Sequence, residues 1–396
     1  MAVKSAVLQL VAAISTLTFA LVTGIEHLLG LGPAIFLSSA ALTALPAGRA
    51  MDRLGRVPVL AAGFAVGIVG ALLTALGAAT VFAPPVVLGL VLMGASSGVA
   101  LLVRTAAGDM YPPERRARGI AWVLFGSVFG AILGPAVFSP LFADRELAAE
   151  ALAVPWLAAA GLLVVALAIV LCVRPDPKEI AERLLGGELR RDSAPVAAAS
   201  LREILGRPGV VPALLAALAS FGVMVSVMNL TGYVVVTEHG HHQQSVFPII
   251  GAHVLGMYAL VVVIGKLIDR TGRGPALNGG LVVMAASCLG LLWLESVLAT
   301  AVLLFGLGLG WNLSFVAATA RLVDQTLPAE RGKLLGFSDL LAGLLGAFLA
   351  LLGGFALETL GVGALAIGAT VIALLPLVWI LGGGRTRQAR PVEQPG

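Results

Sequence analysis

The residues of this chain that could do chemistry are few, and most lie inside apolar runs. His253 sits in Gly251-Ala-His-Val-Leu-Gly256. An imidazole with an ordinary pKa near ~6.5 suits proton exchange, and the competing role is a hydrogen-bonded packing histidine. Asp339 falls six residues past Lys333, about 9 Å into a helix at the usual rise. A carboxylate there either carries a proton or stabilises a helix start. Arg104 lies near the mouth of another run, ahead of Tyr111, while Asn229 and Asn312 fall within runs. The asparagines either line a polar path or join helix to helix. Carrying protons and polar solutes is the chemistry these residues allow. Bond-making motifs are absent: no phosphate loop, no H-E-x-x-H and no paired-cysteine zinc set. Cys172 and Cys288 lie far apart in apolar runs, with neither metal spacing nor evidence of a disulfide. Glu238-His-Gly-His-His242 has ligand-type side chains, but nothing nearby completes a set, so a solvated outer loop is expected. No catalytic, cofactor or metal site follows, and the chain does not read as an enzyme.

The elements that must position these residues follow from composition. Apolar residues make up 59% of the chain, charged residues 12%, and the mean hydropathy is +1.02, whereas soluble domains carry roughly 25% charge. Twelve apolar spans are expected near 4–24, 29–47, 57–80, 84–110, 118–138, 154–173, 209–237, 245–265, 276–294, 297–323, 334–357 and 362–382. About 20 residues cross the ~30 Å hydrocarbon layer as a helix. The basic residues set the orientation. Of the 25 Lys and Arg, Arg145 alone falls opposite the side that holds both termini. That side is expected to be cytoplasmic, in a multi-pass plasma-membrane protein. This asymmetry accounts for the sequence pI of 9.4 without nucleic acid as a partner. Lys4 ahead of an apolar run resembles a signal peptide, but no small-residue cleavage site follows, so the first run reads as a span. The organisation expected is a six-helix bundle over 1–173, a cytoplasmic linker over 174–208, a second six-helix bundle over 209–384 and a tail over 385–396. Within the linker, Lys178–Leu185 has the pattern of a short amphipathic helix.

A charged loop is written twice. Gly48-Arg-Ala-Met-Asp-Arg-Leu-Gly-Arg56 returns 217 residues later as Gly265-Lys-Leu-Ile-Asp-Arg-Thr-Gly-Arg273. A repeat at half the chain length inside so apolar a protein points to two similar membrane bundles joined, as in secondary transporters. Glycines allow tight turns, the Asp can meet the positive end of a helix, and the Arg needs a carboxylate. The loops Tyr111-Pro-Pro-Glu-Arg-Arg116 and Leu327-Pro-Ala-Glu-Arg-Gly332 repeat at an offset of 216.

On these residues the chain resembles the major facilitator superfamily. Gly48, Asp52, Arg53, Gly55 and Arg56 match the family's loop motif after the second helix, and Gly265, Asp269, Arg270, Gly272 and Arg273 match its second-half copy. The resemblance implies that these residues form a cytoplasmic gate, with Asp109 the partner of Arg56 and Asp324 that of Arg273. It also implies that the first, fourth, seventh and tenth helices surround the path. In the fifth span, Gly130, Gly134 and Pro135 are similar to the family's antiporter motif, although Ala136-Val137 stand where a glycine pair often follows. The arginine that many exporters carry in the fourth helix would fall at Leu90 and is absent. The fold class implied is all-α integral membrane, twelve helices in two pseudo-repeated bundles. The function implied is secondary transport, with proton-coupled efflux of small amphipathic molecules by a monomer as the leading expectation. Arg104, Asn229, His253, Asn312 and Asp339 are the candidate substrate or proton site. The alternatives are an importer or facilitator of a small metabolite and a non-transporting sensor of the same fold.

Overall fold

In hydrocarbon a chain must satisfy its own backbone N–H and C=O groups, and apolar runs without strand alternation do so as helices. The computed structural model describes residues 1–24, 29–111, 116–142, 148–186, 199–326 and 328–382. Within its helices, the side chains at 52, 108, 116–121, 124, 182, 184–186, 262, 269, 328, 329, 331–333 and 380–382 lie outside that description. The outer-loop residues Glu26, Asp144, Arg145 and Glu146 and the tail over 385–396 also fall outside it. Among the described residues there is no strand.

The first half contains α1 (Ala2–Thr23), α2 (Leu31–Leu54), α3 (Arg56–Ala79), α4 (Ala83–Leu101), α5 (Val103–Asp109), α6 (Arg116–Phe138) and α7 (Ala153–Leu171). Gly24, at φ 67, ends α1 and returns its N–H to Ala20. The helices α4 and α5 follow one another across a single residue, Leu102. The linker contributes α8 (Pro177–Gly186) and the short α9 (Leu201–Leu205), the latter started by a Ser200–Glu203 capping box. The amphipathic stretch expected over Lys178–Leu185 lies within α8.

The second half holds α10 (Val210–Tyr233), α11 (Val246–Tyr258), α12 (Val261–Thr271), α13 (Arg273–Gly290), α14 (Val297–Asp324) and α15 (Pro328–Gly382). Nine helices among the described residues are long and apolar enough to cross a membrane. The stretch expected as one span over 245–265 instead divides into α11 and α12 at Ala259–Leu260. The stretch expected as two spans over 334–357 and 362–382 is two helices, divided within α15 at Gly361, whose φ 78 and ψ −177 are not helical.

Each half packs helix on helix, and the halves meet along three seams: α1 on α10, α2 on α15 and α6 on α11. Small residues let the backbones approach. A Cβ on Gly30 would overlap the Ala350 carbonyl, one on Gly232 the Ala13 carbonyl, and one on Gly343 would lie 2.6 Å from the Ala41 Cβ. By contrast α4 packs on α2 and α3, and α14 on α11 and α13. These two helices thus pack mainly within their own halves. The outward surface carries large apolar side chains such as Trp293, Leu298, Leu360 and Val378, all exposed. In water this belt would drive association, and it is the surface hydrocarbon solvates.

Candidate functional site

The repeated loops are built alike and anchored differently. One residue, Gly55, separates α2 from α3, and its φ of 101 and ψ of 168 belong to a region open essentially to glycine. Gly272 does the same between α12 and α13 at φ 89 and ψ 158. Gly48 and Gly265 are different, since a Cβ on either would meet open space. They mark no close helix approach. Beyond the first turn, the Arg56 Nε donates to Asp109 Oδ2 at 2.7 Å, with the two side chains 12% and 17% exposed. The second copy brings Arg273 Nε to Asp324 Oδ2 at 3.0 Å, both side chains 39% exposed. Both pairs that the resemblance implied are therefore in contact. The side chains of Asp52 and Asp269 lie outside the described residues, and those of Arg53 and Arg270 are exposed.

Asp176, just ahead of the linker helix, completes the first loop. Its carboxylate accepts from the backbone N–H of Arg56 at 3.0 Å, of Val57 at 2.8 Å and of Lys178 at 2.8 Å. The first N–H groups of a helix have no partner within it, and a carboxylate there also meets the positive end of its dipole. Burial pushes the Asp176 carboxyl up, but these three N–H groups and the Arg56 guanidinium outweigh it and hold the group below its ordinary range. Lys178 reaches back, its Nζ donating to the Arg53 carbonyl at 3.4 Å.

At the same basic end, an ion pair joins the two halves. Arg104 on α5 places Nη2 2.5 Å from Asp339 Oδ2 on α15, with side chains 33% and 39% exposed. These two candidates, 235 residues apart, therefore form one feature. On the second half's side, Arg207 holds Glu330 through two bonds of 2.6 and 2.8 Å and also donates to the Gln325 carbonyl.

The fifth-span glycines form a notch for the first helix. A Cβ on Gly130 would lie 2.4–2.5 Å from Ser5 and Ala2, and one on Gly134 would lie 2.8–2.9 Å from the Gln9 amide; Gly126 leaves ordinary van der Waals space. Gln9, 1% exposed, donates from Nε2 to the Gly130 carbonyl at 2.6 Å, while its Oε1 has no partner. Pro135 faces the other way, within 3.0 Å of a Cβ added to Gly251 on α11.

The remaining candidates are deeply buried and do not meet at one point. His253 is fully enclosed, its Nδ1 2.8 Å from the Leu304 carbonyl on α14 and its Nε2 without a partner. It sits inside the second half's own packing. Asn229 donates to Val225 O at 2.7 Å, while its backbone carbonyl accepts the Thr16 hydroxyl at 3.2 Å across the α1–α10 seam. Asn312 is 1% exposed with an unpartnered Nδ2. Beside it, Trp311 stacks on Phe315 at 5.1 Å and 17°, and meets the Tyr258 ring edge-on at 6.2 Å.

Gln9, Asp176 and the Arg207–Glu330 pair escaped sequence reasoning. One signal could have found Gln9, a lone amide in an otherwise apolar stretch. Asp-Pro at 176–177 ahead of a helical pattern could have flagged Asp176.

The model of the Major Facilitator Superfamily matches residues 5–320 and 249–396. The chain is 32% identical over 330 residues to the uncharacterized MFS-type transporter YdeG of Bacillus subtilis, covering 82% of this chain and 76% of the relative. It is 32% identical over 310 residues to the riboflavin transporter RfnT of Brucella anthropi, covering 76% and 72%. Its fold matches the crystal structure of a D-xylose-proton symporter with a TM-score of 0.74 at 14% identity, over 99% of this chain and 98% of that one. The chain belongs to the major facilitator superfamily.

Proposed function

We propose that this member of the superfamily is a proton-coupled carrier that works by alternating access and exports small amphipathic organic molecules. The observation that carries the reading is the Arg104–Asp339 pair, which ties one half to the other at the basic end. Away from it, glycine contacts bring α2 onto α15 and α10 onto α1. A solute path with a breakable ion pair at one end and close-packed backbones further along opens to one side at a time. A channel needs no such pair. Twelve crossings in two bundles place the basic end in the cytoplasm of a plasma-membrane monomer, with both termini on that side. Asp339 is the proton carrier: its protonated form releases Arg104 and lets the halves part. The Arg56–Asp109 and Arg273–Asp324 pairs stiffen the gate loops of each half. The Gly130–Gly134–Pro135 face keeps α6 close on α1, as the antiporter-type motif requires. No bond-making step is involved, and the driving energy is an ion gradient.

Uptake of a metabolite is the second reading, favoured by the likeness to a riboflavin transporter. Vesicles reconstituted with the protein and given an imposed pH gradient test both. Export predicts proton-driven substrate efflux from the face bearing the termini, lost in Asp339→Asn with binding retained. Normal coupling in Asp339→Asn rules out its role as carrier, and proton-driven accumulation in the opposite sense establishes uptake.

A further inference from the structure

One cation and two hydroxyls inside the first half take no part in the gates or the seams. They line the same cavity, which measures about 20 Å³, room for about one water. Helix α1 lines it at positions 4, 7, 8 and 11, and α4 lines it at positions 93, 96, 97 and 100. Each set has the spacing of a single helix face. The two stripes meet across the cavity, α1 starting and α4 ending at the basic end. Phe36, Phe64 and Leu163 complete the wall. In this apolar lining the polar side chains are those of Lys4, Ser96 and Ser97.

Their donors are unspent. Among the described residues Lys4 forms no ion pair and no hydrogen bond, and neither serine hydroxyl has a partner. Ser96 is buried, so bulk water does not make up the deficit. A serine inside a helix can return its hydroxyl to a carbonyl one turn back. Ser314 on α14 does so with the Gly310 carbonyl at 2.8 Å, and it also meets Ser220 at 2.6 Å. That pair in the second half is satisfied from within, whereas Ser96 and Ser97 are not. Charge points the same way. The Met1 ammonium and the Arg104 guanidinium are within electrostatic reach of Lys4. Among the described residues Arg104 alone of these three cations has a carboxylate, that of Asp339. Cations drawn out of water without a counter-charge are costly. A water in the cavity would serve the hydroxyls and leave that charge standing. An anion does both, accepting from the ammonium and the two hydroxyls and cancelling a charge.

We propose that the first half binds a small monovalent inorganic anion, with chloride as the natural occupant, between Lys4, Ser96 and Ser97. A cavity with room for about one water excludes phosphate, sulfate and any carboxylate on a carbon skeleton. Lys4 is the one cation that lines it, so a single negative charge balances the site. Every lining residue belongs to the first half, so the site stays whole however the halves move, and the anion is a fixed counter-ion rather than cargo. Its role is to let a lysine lie inside a membrane bundle without a carboxylate beside it. The site therefore stands or falls separately from the transporter reading above.

The test is the melting temperature of the purified full-length protein, followed by tryptophan fluorescence in sodium chloride, bromide or gluconate at equal ionic strength. The linewidth of the chloride NMR signal reads binding directly. A ligand held only by the folded protein raises the melting temperature as its concentration rises, so chloride and bromide should each outdo gluconate. The protein should broaden the chloride signal, and bromide should reverse the broadening by competition. Lys4→Met should abolish both effects, whereas Lys4→Arg, which keeps the charge, should retain them. Ser97→Ala reads the same site should Lys4→Met fail to fold. It keeps the lysine, removes one donor to the anion and should weaken chloride about tenfold. A general salt effect on the surface would survive all three substitutions. Equal melting temperatures of wild type in chloride and gluconate would leave water as the occupant and overturn the site. Equal chloride broadening by wild type, Lys4→Met and Ser97→Ala would overturn it as well.

Discussion

The two copies of the charged loop differ at four of nine positions yet keep both glycines, the Asp and the last two Arg residues; their surroundings differ far more. In the first half, Arg56 and Asp109 are largely buried, and Asp176 caps the helix that Arg56 begins. In the second half, Arg273 and Asp324 meet in a half-exposed setting, where a Cβ added to Gly272 would meet Pro275 at an ordinary 3.9 Å. Removing one partner of a buried pair costs roughly 3 kcal/mol or more, whereas solvated pairs contribute about 0–1 kcal/mol. A motif thus sets which groups meet, and its neighbours set how much the meeting matters. On the proposed reading, the first half holds the stiffer of the two gates.

The largest effect is expected at the first half's own close contact. Gly134→Leu would drive a branched side chain into the Gln9 amide, already only 2.8 Å from a single added Cβ, and overpacking a filled interface displaces backbone. Coupled exchange in reconstituted vesicles should be lost or replaced by proton leak. Gly126→Ala, with 3.4 Å to the Met1 Cβ, should keep both flux and tightness. Full coupled efflux in Gly134→Leu reduces the motif to chance glycine spacing.

Next in size is the contrast between the two arginines. Arg56→Ala should lower transport roughly tenfold or more, since it strands a mostly buried Asp109, and exchanging the charges of Arg56 and Asp109 should restore part of it. Arg273→Ala should cost less than about threefold, as for a solvated pair. Membrane insertion, measured alongside by surface labelling, should be the same for all three proteins. Equal losses in the two single variants would erase the asymmetry between the gates.

How much of this was legible follows from the range of each interaction. Hydropathy is a local signal, so the apolar spans could be read directly; the break at Ala259–Leu260 could not, because no proline or glycine stands there to announce it. Repetition exposed the loop, and the family resemblance set Asp109 beside Arg56. Other features had no local rule to show them. Arg104 and Asp339 were each singled out as rare charges, yet pairing residues 235 apart is decided by how the halves dock. His253 looked like a proton group by residue type, and only the helix packing shows its Nδ1 spent on the Leu304 carbonyl. Asp176 lay in a linker that composition marks as solvated.

The turn glycines give a smaller and sharper comparison. Both Gly55 and Gly272 hold backbone angles that a side chain resists, at a cost of order 1–3 kcal/mol. Alanine at either should therefore lower the melting temperature. At Gly55 the added Cβ would also lie 2.8 Å from Asp176 Oδ2, so Gly55→Ala should lower it further than Gly272→Ala. Equal shifts would show that Asp176 yields without penalty.

The smallest effect tests the same carboxylate through its proton. Asp176 keeps its charge to lower pH in the folded protein than an ordinary aspartate does, because three backbone N–H groups donate to it and Arg56 stands beside it. A depressed carboxyl contributes its stability above the unfolded pKa, about 3.9 for Asp, and loses it as pH falls through the lower folded value. The linker should therefore stay docked on the first loop at neutral pH and loosen only in strong acid. Limited proteolysis of the linker, followed from pH 7 to about 3, reads that docking. Wild type should show cleavage rising only at the acid end of the range, as pH falls below the unfolded value toward the lower folded one. Asp176→Asn keeps the shape but cannot carry the charge, so it should be cut more readily at every pH and lose most of the acid-dependent rise. The second half supplies the control, because the Arg273→Ala protein retains Asp176 and should follow the wild-type profile. If Asp176→Asn is cut no faster than wild type at neutral pH, the capping carboxylate does not hold the linker, and the stiffness of the first gate must come from the Arg56–Asp109 pair alone.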